Sequence, residues 1–282
     1  MSSLLTCQNS DGGWPYQPGG PSWTEPTAYA ALALSVDPSA APQVTAALRW
    51  LTAHQLADGG WPPQPGVHQS TTVTALVALL GPAALGEASY RRGILWLLRQ
   101  TGNDTGMLNR LRLIAYGRSP SRPADGWPWF PGTSAWVVPT SLSILALRKT
   151  MRLMPGPAIR ERLNQGESFL LQHACADGGW NYGTAESFGY IARSYPETTG
   201  LALLALQPAV ARVIGKACAL ARAQLRACQS SEAESWLRLG LAAHAQLPLH
   251  APSPVLPVRD VRTAALAMLA SAAAQGRHVF LD

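Results

Sequence analysis

The chain carries little charge. Asp, Glu, Lys and Arg make up 13% of its 282 residues, about half the share of an average soluble domain. Lysine is nearly absent, with Lys149 and Lys216 standing against 20 arginines. Hydrophobic residues reach 47%, so the shortage of charge does not signal a disordered chain. The net charge of +6 comes from scattered arginines, with Arg91-Arg92 and the stretch 110–122 as the clusters. No basic stripe accompanies a nucleic-acid-binding motif, and no nucleic-acid partner is expected. Attraction of an anionic small molecule stays open.

Long apolar runs are missing too. The longest, at 28–36 and 73–80, fall far short of the ~18 residues of a membrane span. No transmembrane segment is expected, and a peripheral membrane contact stays open. Residues 1–13 lack the basic and apolar regions of a signal peptide. The four cysteines, Cys7, Cys175, Cys218 and Cys228, contain no CxxC pair. That argues against a disulfide framework or zinc site and suggests reduced, mostly buried thiols in the cytoplasm. His173-x-Cys175-x-Asp177 offers three alternating ligand types, too little for a metal site on ligand count and geometry. The glycine pairs lack a following Lys-Ser/Thr, so no phosphate loop is read. No cofactor or metal is expected.

What the sequence does contain is a repeat. Asp-Gly-Gly-Trp occurs at 11–14, 58–61 and 177–180, with a shortened Asp125-Gly126-Trp127 between them. Gln8 and Gln55 precede the first two copies by three residues. Thr27, Thr74 and Thr140 each stand 13 residues after their tryptophan. The fourth copy takes 19, from Trp180 to Thr199, through an insertion near 183–193. A fifth run opens at Thr263-Ala264 without its own tryptophan motif.

Each threonine opens an Ala/Leu-rich run of high helix propensity. Pro38, Pro82, Pro155 and Pro208 follow these runs. More charged stretches then begin at 43–55, 89–100, 158–172 and 209–228, with apolar residues at helical spacing. A helix apolar on all sides must be surrounded by protein. The pattern therefore predicts an all-α fold, an α/α toroid with apolar inner and amphipathic outer helices. Extra helices over 107–116 and 232–246 bring the expected total to about five to six pairs. No linker divides the chain, so 1–282 is read as a single domain.

Gln8-x-x-Asp11-Gly12-Gly13-Trp14 and Gln55-x-x-Asp58-Gly59-Gly60-Trp61 resemble the QW motif of the squalene-hopene cyclase and prenyltransferase repeat superfamily. The stretch from Trp127 to Trp136, followed by Pro139-Thr140, is similar to stand-alone bacterial members. The resemblance runs from Gln8 to about Ala270 and implies an α/α toroid. It also implies that the motif tryptophans are structural. On physical grounds the glycine pair allows tight left-handed turns, while each tryptophan packs over the start of outer helices.

Class II terpene cyclases of this superfamily protonate an alkene or epoxide with the middle acid of Asp-x-Asp-Asp, just before a Thr-Ala. This chain has no Asp-x-Asp-Asp. Aligned on the threonines, Glu25 and Glu197 occupy the place of that acid, and Thr72, Val138 and Val261 occupy it elsewhere. Both glutamates are candidate catalytic acids. Each also fits a helix capping box, Ser22-x-x-Glu25 and Ser194-x-x-Glu197, and the macrodipole preference of a first turn.

Two residues earlier stand Trp23, Trp136 and Tyr195, with Ser70 and Arg259 in the other copies. They are read as an aromatic rim with one arginine, extended by Trp129, Phe130, Phe188 and Tyr190 from the loops. Ordinary core packing is the alternative. Arg259, Asp260 and Arg262 form a helix start or an anion-binding corner. His68, in a loop leading to an inner helix, is a third candidate acid or base.

These features suggest a non-standard terpene-cyclase-like enzyme. It would cyclise or isomerise an isoprenoid or other hydrophobic small molecule by acid initiation. The alternatives are a non-catalytic binder of a hydrophobic ligand and a scaffold subunit completed by a homodimer or partner.

Overall fold

The computed structural model describes residues 2–103, 125–183, 186–187, 190–207, 212–246 and 259–282. The helix expected over 107–116 and the rim residue Phe188 lie outside them, and Tyr190 is described as backbone alone.

Six helices close into a ring. They are α2 (Thr24–Leu34), α4 (Val73–Ala78), α7 (Val137–Leu153), α9 (Pro196–Ala205), α11 (Ser231–Ala243) and α12 (Val261–Ala274). Each packs on the next in that order, and α12 returns to α2. Outside them lie α3 (Ala41–Ala53), α6 (Glu87–Arg99), α8 (Pro157–Gln172) and α10 (Arg212–Ala227), against α2, α4, α7 and α9 respectively. The short α1 (Ser2–Leu5) leans on α12, and α5 (Pro82–Leu85) lies between α4 and α6. The fold is an α/α toroid.

The two rings differ as their sequences require. In α2 every residue except Glu25 is buried. In α8 only Ile159, Arg162, Leu163, Gly166, Phe169 and Leu170 are buried, the spacing of one helix face. Among the described residues there are four inner–outer pairs and two further inner helices. The stretch expected to form an extra helix near 232–246 is the fifth inner helix, α11. It enters the ring because its glycine allows contact with α9. A Cβ on Gly240 would lie 2.4 Å from the Gly200 oxygen, and one on Gly200 would lie 2.3 Å from the Trp236 carbonyl carbon. The charges of Glu234 and Arg238 tolerate burial because they pair at 2.7 Å.

The tryptophan motif locks the rings together. The backbone N–H of Trp14, Trp61 and Trp127 donates to Oγ1 of the threonine 13 residues on, each at 2.8 Å. Trp180 does the same to Thr199 at 3.0 Å despite its longer loop. Each indole also donates to a carbonyl behind it, of Leu4, Leu51, Leu97 or Leu170. Three of these carbonyls are near outer-helix C-termini, where carbonyls lack helical partners. The tryptophans therefore close the end of one outer helix. Trp61 and Trp127 also pack against the next, at Gly93 and Gly166.

Asp58 ties the turn by accepting from Gly60 N–H, the Ser70 hydroxyl and the Trp96 indole. Gln55 reaches the Gly59 and Ser89 carbonyls, the latter in the first turn of α6. The two glycines have different reasons. Gly59 sits at φ 95°, which favours glycine. Gly60 leaves room for Ser70, whose Oγ would be 2.6 Å from an added Cβ. In the shortened third copy, Arg162 stacks 3.8 Å from the Trp127 ring and donates to the Asp125 and Gln100 carbonyls.

Replacing Thr74 with valine keeps the shape but strands the buried Trp61 N–H. Chemical denaturation should show a loss of about 1–3 kcal/mol. Thr45→Val, on the exposed side of α3, should stay within about 0.5 kcal/mol of the parent. Equal costs at the two sites would contradict the role given to the tryptophan–threonine bond.

Candidate functional site

The tryptophan–threonine bond fixes how each inner helix is rotated. With 3.6 residues per turn, a step of two residues turns a helix by about 200°. Residues two before and two after the threonine therefore face away from the motif, and they share a face with each other. These pairs are Glu25 and Tyr29, Thr72 and Leu76, Val138 and Leu142, and Glu197 and Leu201. All eight line one cavity of about 510 Å³ inside the ring. Glu232 and Trp236 on α11 repeat the same spacing and line it too. On α12 the lining residue is Arg262.

The loops complete the wall through a second repeated position, two residues after each tryptophan. Tyr16, Pro63, Trp129 and Tyr182 stand there, and all four line the cavity. Their carbonyls accept from N–H groups at the start of a neighbouring inner helix: Val261, Thr24, Thr72 and Val137, at 2.8–2.9 Å. Helix starts have N–H groups without helical acceptors, so these loops are fixed at the inner-helix N-termini. Trp129, Phe130 and Tyr182 are 37%, 44% and 44% exposed. The cavity meets solvent along that side. Its volume is within the ~300–1,000 Å³ of small-molecule sites.

The lining is two-sided. From α4, α7 and their loops come Val73, Leu76, Val138, Leu142, Trp129 and Phe130, with Thr71 and Thr72 as the polar members of that side. From α9, α11, α12 and α2 come Glu197, Glu232, Arg262 and Glu25, with Tyr182, Tyr16 and Tyr29. Arg262 pairs with Glu232 at 2.7 Å, and its other terminal nitrogen lies 3.9 Å from Glu25 Oε1. The Tyr16 hydroxyl donates to Glu25 Oε2. Burial raises the Glu25 carboxyl above its ordinary range, while Arg262 and the Tyr16 hydrogen bond pull it back. Burial and the Glu25 charge push the Tyr16 phenol up. Burial works against the Arg262 charge, but Glu25 and Glu232 outweigh it and hold the guanidinium charged.

Of the residues singled out in the sequence, Glu25, Glu197, Trp129 and Phe130 share this cavity. Neither capping box forms. Ser22 and Ser194 donate instead to Asp11 and Asp177 of the tryptophan motif, and the helix N-caps are Trp23 and Tyr195. The expected rim stands one layer back. Trp23 packs edge-on against Tyr16 at 5.5 Å, and Tyr195 lies 5.5 Å from Tyr182. Trp136 pairs with Trp127 in the hairpin of β1 (Trp127–Pro128) and β2 (Ala135–Trp136). These three are outside the lining because an N-cap position precedes the first inward-facing turn.

His68 is exposed and outside the lining. Arg259 is exposed too, and its carbonyl accepts from Gln17. Asp260 caps α12 through the Thr263 N–H at 2.7 Å. No anion corner forms from this pair, and the arginine that reaches the cavity is Arg262. Tyr16, Tyr29, Tyr182, Glu232 and Trp236 were not anticipated as site residues, and Arg262 was read only as part of an anion-binding corner. The offset of two from tryptophan or threonine would have found the three tyrosines.

No protein-family model matches the chain, and no curated protein matches its sequence. Solved structures do match in fold. A protein from Actinoplanes is 24% identical, with 98% of this chain and 77% of that one covered and a TM-score of 0.57. The type II terpene cyclase MstE from Scytonema is 20% identical over 99% of this chain and 76% of its own, at 0.55. The α-1,6-mannanase GH76A of Salegentibacter sp. HEL1_6 is 9% identical over 100% and 98%, at 0.65. At these identities the likeness shows the fold alone. No helix among the described residues is long and apolar enough to cross a membrane.

The charge arrangement makes a signed prediction. Arg262 favours ionised Glu25, so Arg262→Met should extend the protonated form to higher pH. Difference infrared spectroscopy of the carboxyl band, referenced to Glu25→Gln, should show the Glu25 midpoint rising. A fall, or no movement, would remove Arg262 from the control of this group.

Proposed function

We propose that the chain is an enzyme that isomerises or cyclises an apolar, alkene-bearing molecule by protonation, with Glu25 as the acid. The observation that carries this reading is the placement of Glu25: a carboxyl held by Tyr16 at the wall of an aromatic-lined cavity, with partial burial pushing it above its ordinary range. In the reaction the Glu25 proton passes to one carbon of a double bond, or to an epoxide oxygen. The bond's electron pair forms the new bond to hydrogen, or the C–O bond breaks, and a carbocation remains. The faces of Tyr29, Tyr182, Trp129 and Trp236 can hold that cation, at about 0.5–2 kcal/mol each. Loss of a neighbouring proton to Glu197 or water restores neutrality. No cofactor takes part, and electrons balance.

Similarity to MstE, solved in complex with geranylgeranyl dihydroxybenzoate as substrate, supports a hydrophobic, isoprenoid-type substrate. Glycoside hydrolases share the ring as well. The aliphatic surface of Val73, Leu76, Val138 and Leu142 suits the body of an apolar substrate. Glu25 and Glu197 replace the acid cluster to which the sequence resemblance pointed, so the chemistry would be a variant of that family's.

Incubation with isoprenoid alkenes in D₂O should give a product with deuterium on carbon, whereas an epoxide, protonated on oxygen, should give a rearranged or cyclised alcohol with no deuterium on its skeleton. Glu25→Gln should lower turnover by about 10²–10⁴-fold while substrate still binds. Full turnover in Glu25→Gln would overturn the assignment of the acid. Tight binding with no conversion across the panel would favour a ligand-binding protein using the same cavity.

A further inference from the structure

The division of the cavity into two halves limits the charge of what enters it. The apolar half, on α4 and α7, suits the body of a ligand. The other half holds three carboxyl groups, Glu25, Glu197 and Glu232, against one guanidinium, Arg262. Arg262 is flanked by Glu232 at 2.7 Å and Glu25 at 3.9 Å. A phosphate or carboxylate end would have to displace those partners and then face the third acid.

Glu197 has a different environment. It lines the cavity from α9, which packs directly on α7 of the apolar wall, and its carboxyl takes no hydrogen bond or ion pair among the described residues. The same cavity is lined by Tyr182, whose ring is tilted against Tyr195 at 5.5 Å and whose phenol is pushed up in part by the Glu197 charge, and by Trp236 on the adjoining helix. A carboxyl in an aromatic-lined cavity whose one lining cation is already paired suits a positive group: the carboxyl supplies the counter-charge and the rings supply cation–π attraction. Asp260 adds negative charge behind Arg262 and does not line the cavity.

We infer that the cavity selects an amphipathic cation, an apolar body ending in an amine or quaternary ammonium group, with Glu197 as its counter-ion. The inference rests on reading this cavity as a substrate site, and it narrows the substrate class to molecules with a cationic nitrogen. Anionic head groups, diphosphates included, are selected against. Glu197 acts here as a binding residue.

The test uses three probes of equal chain length below their micelle concentrations: decyltrimethylammonium, decanol and decanoate. Calorimetric titration of the full chain should rank them in that order, with the cation at least about ten-fold tighter than the anion. Glu197→Gln should bring the cation to the affinity of decanol and leave decanol unchanged. Leu142→Trp, which fills the apolar half, should weaken all three and so place them in this cavity. Thermal unfolding of both variants checks that they fold. Decanoate binding as tightly as the ammonium, or a cation preference that survives Glu197→Gln, would overturn the inference. Decanol binding without charge preference would overturn it and leave the proposed enzyme reading standing. Failure of all three probes to bind would overturn both.

Discussion

The hydrogen bond from each motif tryptophan N–H to its threonine Oγ1 is the contact on which the rest depends. It joins a loop to an inner helix and is repeated four times at 2.8–3.0 Å. By pointing the threonine outward it points the residues two before and two after it inward. The same loop then sends its next carbonyls to the neighbouring inner helix. One buried contact therefore sets helix rotation, joins consecutive repeats and selects which side chains meet in the middle. The donor is backbone, and the buried indole holds it in place. The bond depends on the threonine.

That geometry explains how a nearly uniform scaffold yields a non-uniform cavity. The lining positions do no work in the motif, so they are free to differ from copy to copy. Two copies place glutamate there, one threonine and one valine. The two helices without a motif add Glu232, Trp236 and Arg262. The acids thus gather on the side of α9, α11, α12 and α2, and the aliphatic residues on α4 and α7. Burial then raises Glu25, and its pairing with Arg262 and Tyr16 limits how far. Function, in this account, resides in the positions the fold leaves unconstrained.

Much of the ring was legible in the sequence. The spacing of 13 residues from tryptophan to threonine, together with wholly apolar runs after it, gives the inner helices and their register. That register brings Glu25 and Glu197 to one end. Other features were hidden. Ser22 and Ser194 stand where capping serines would, but sequence does not show that Asp11 and Asp177 claim their hydroxyls. Helix α11 lacks the motif and carries Glu234 and Arg238, so it reads as amphipathic. Its place inside depends on their mutual pairing and on the close passage of Gly200 and Gly240, neither visible in one dimension. The rim aromatics were placed one step too far forward, because helix entry consumes the residue before the first inward-facing turn.

The most direct test of the central claim is a crystal structure of the chain with a fifteen-carbon isoprenoid alcohol bound, a size chosen to lie within ordinary small-molecule cavities. The account predicts the hydrocarbon between Leu76 and Leu142, with its oxygen toward Glu25 and Glu197 and every motif threonine still bonded to its tryptophan. A ligand outside the ring, or a cavity filled by the protein's own side chains, would contradict it.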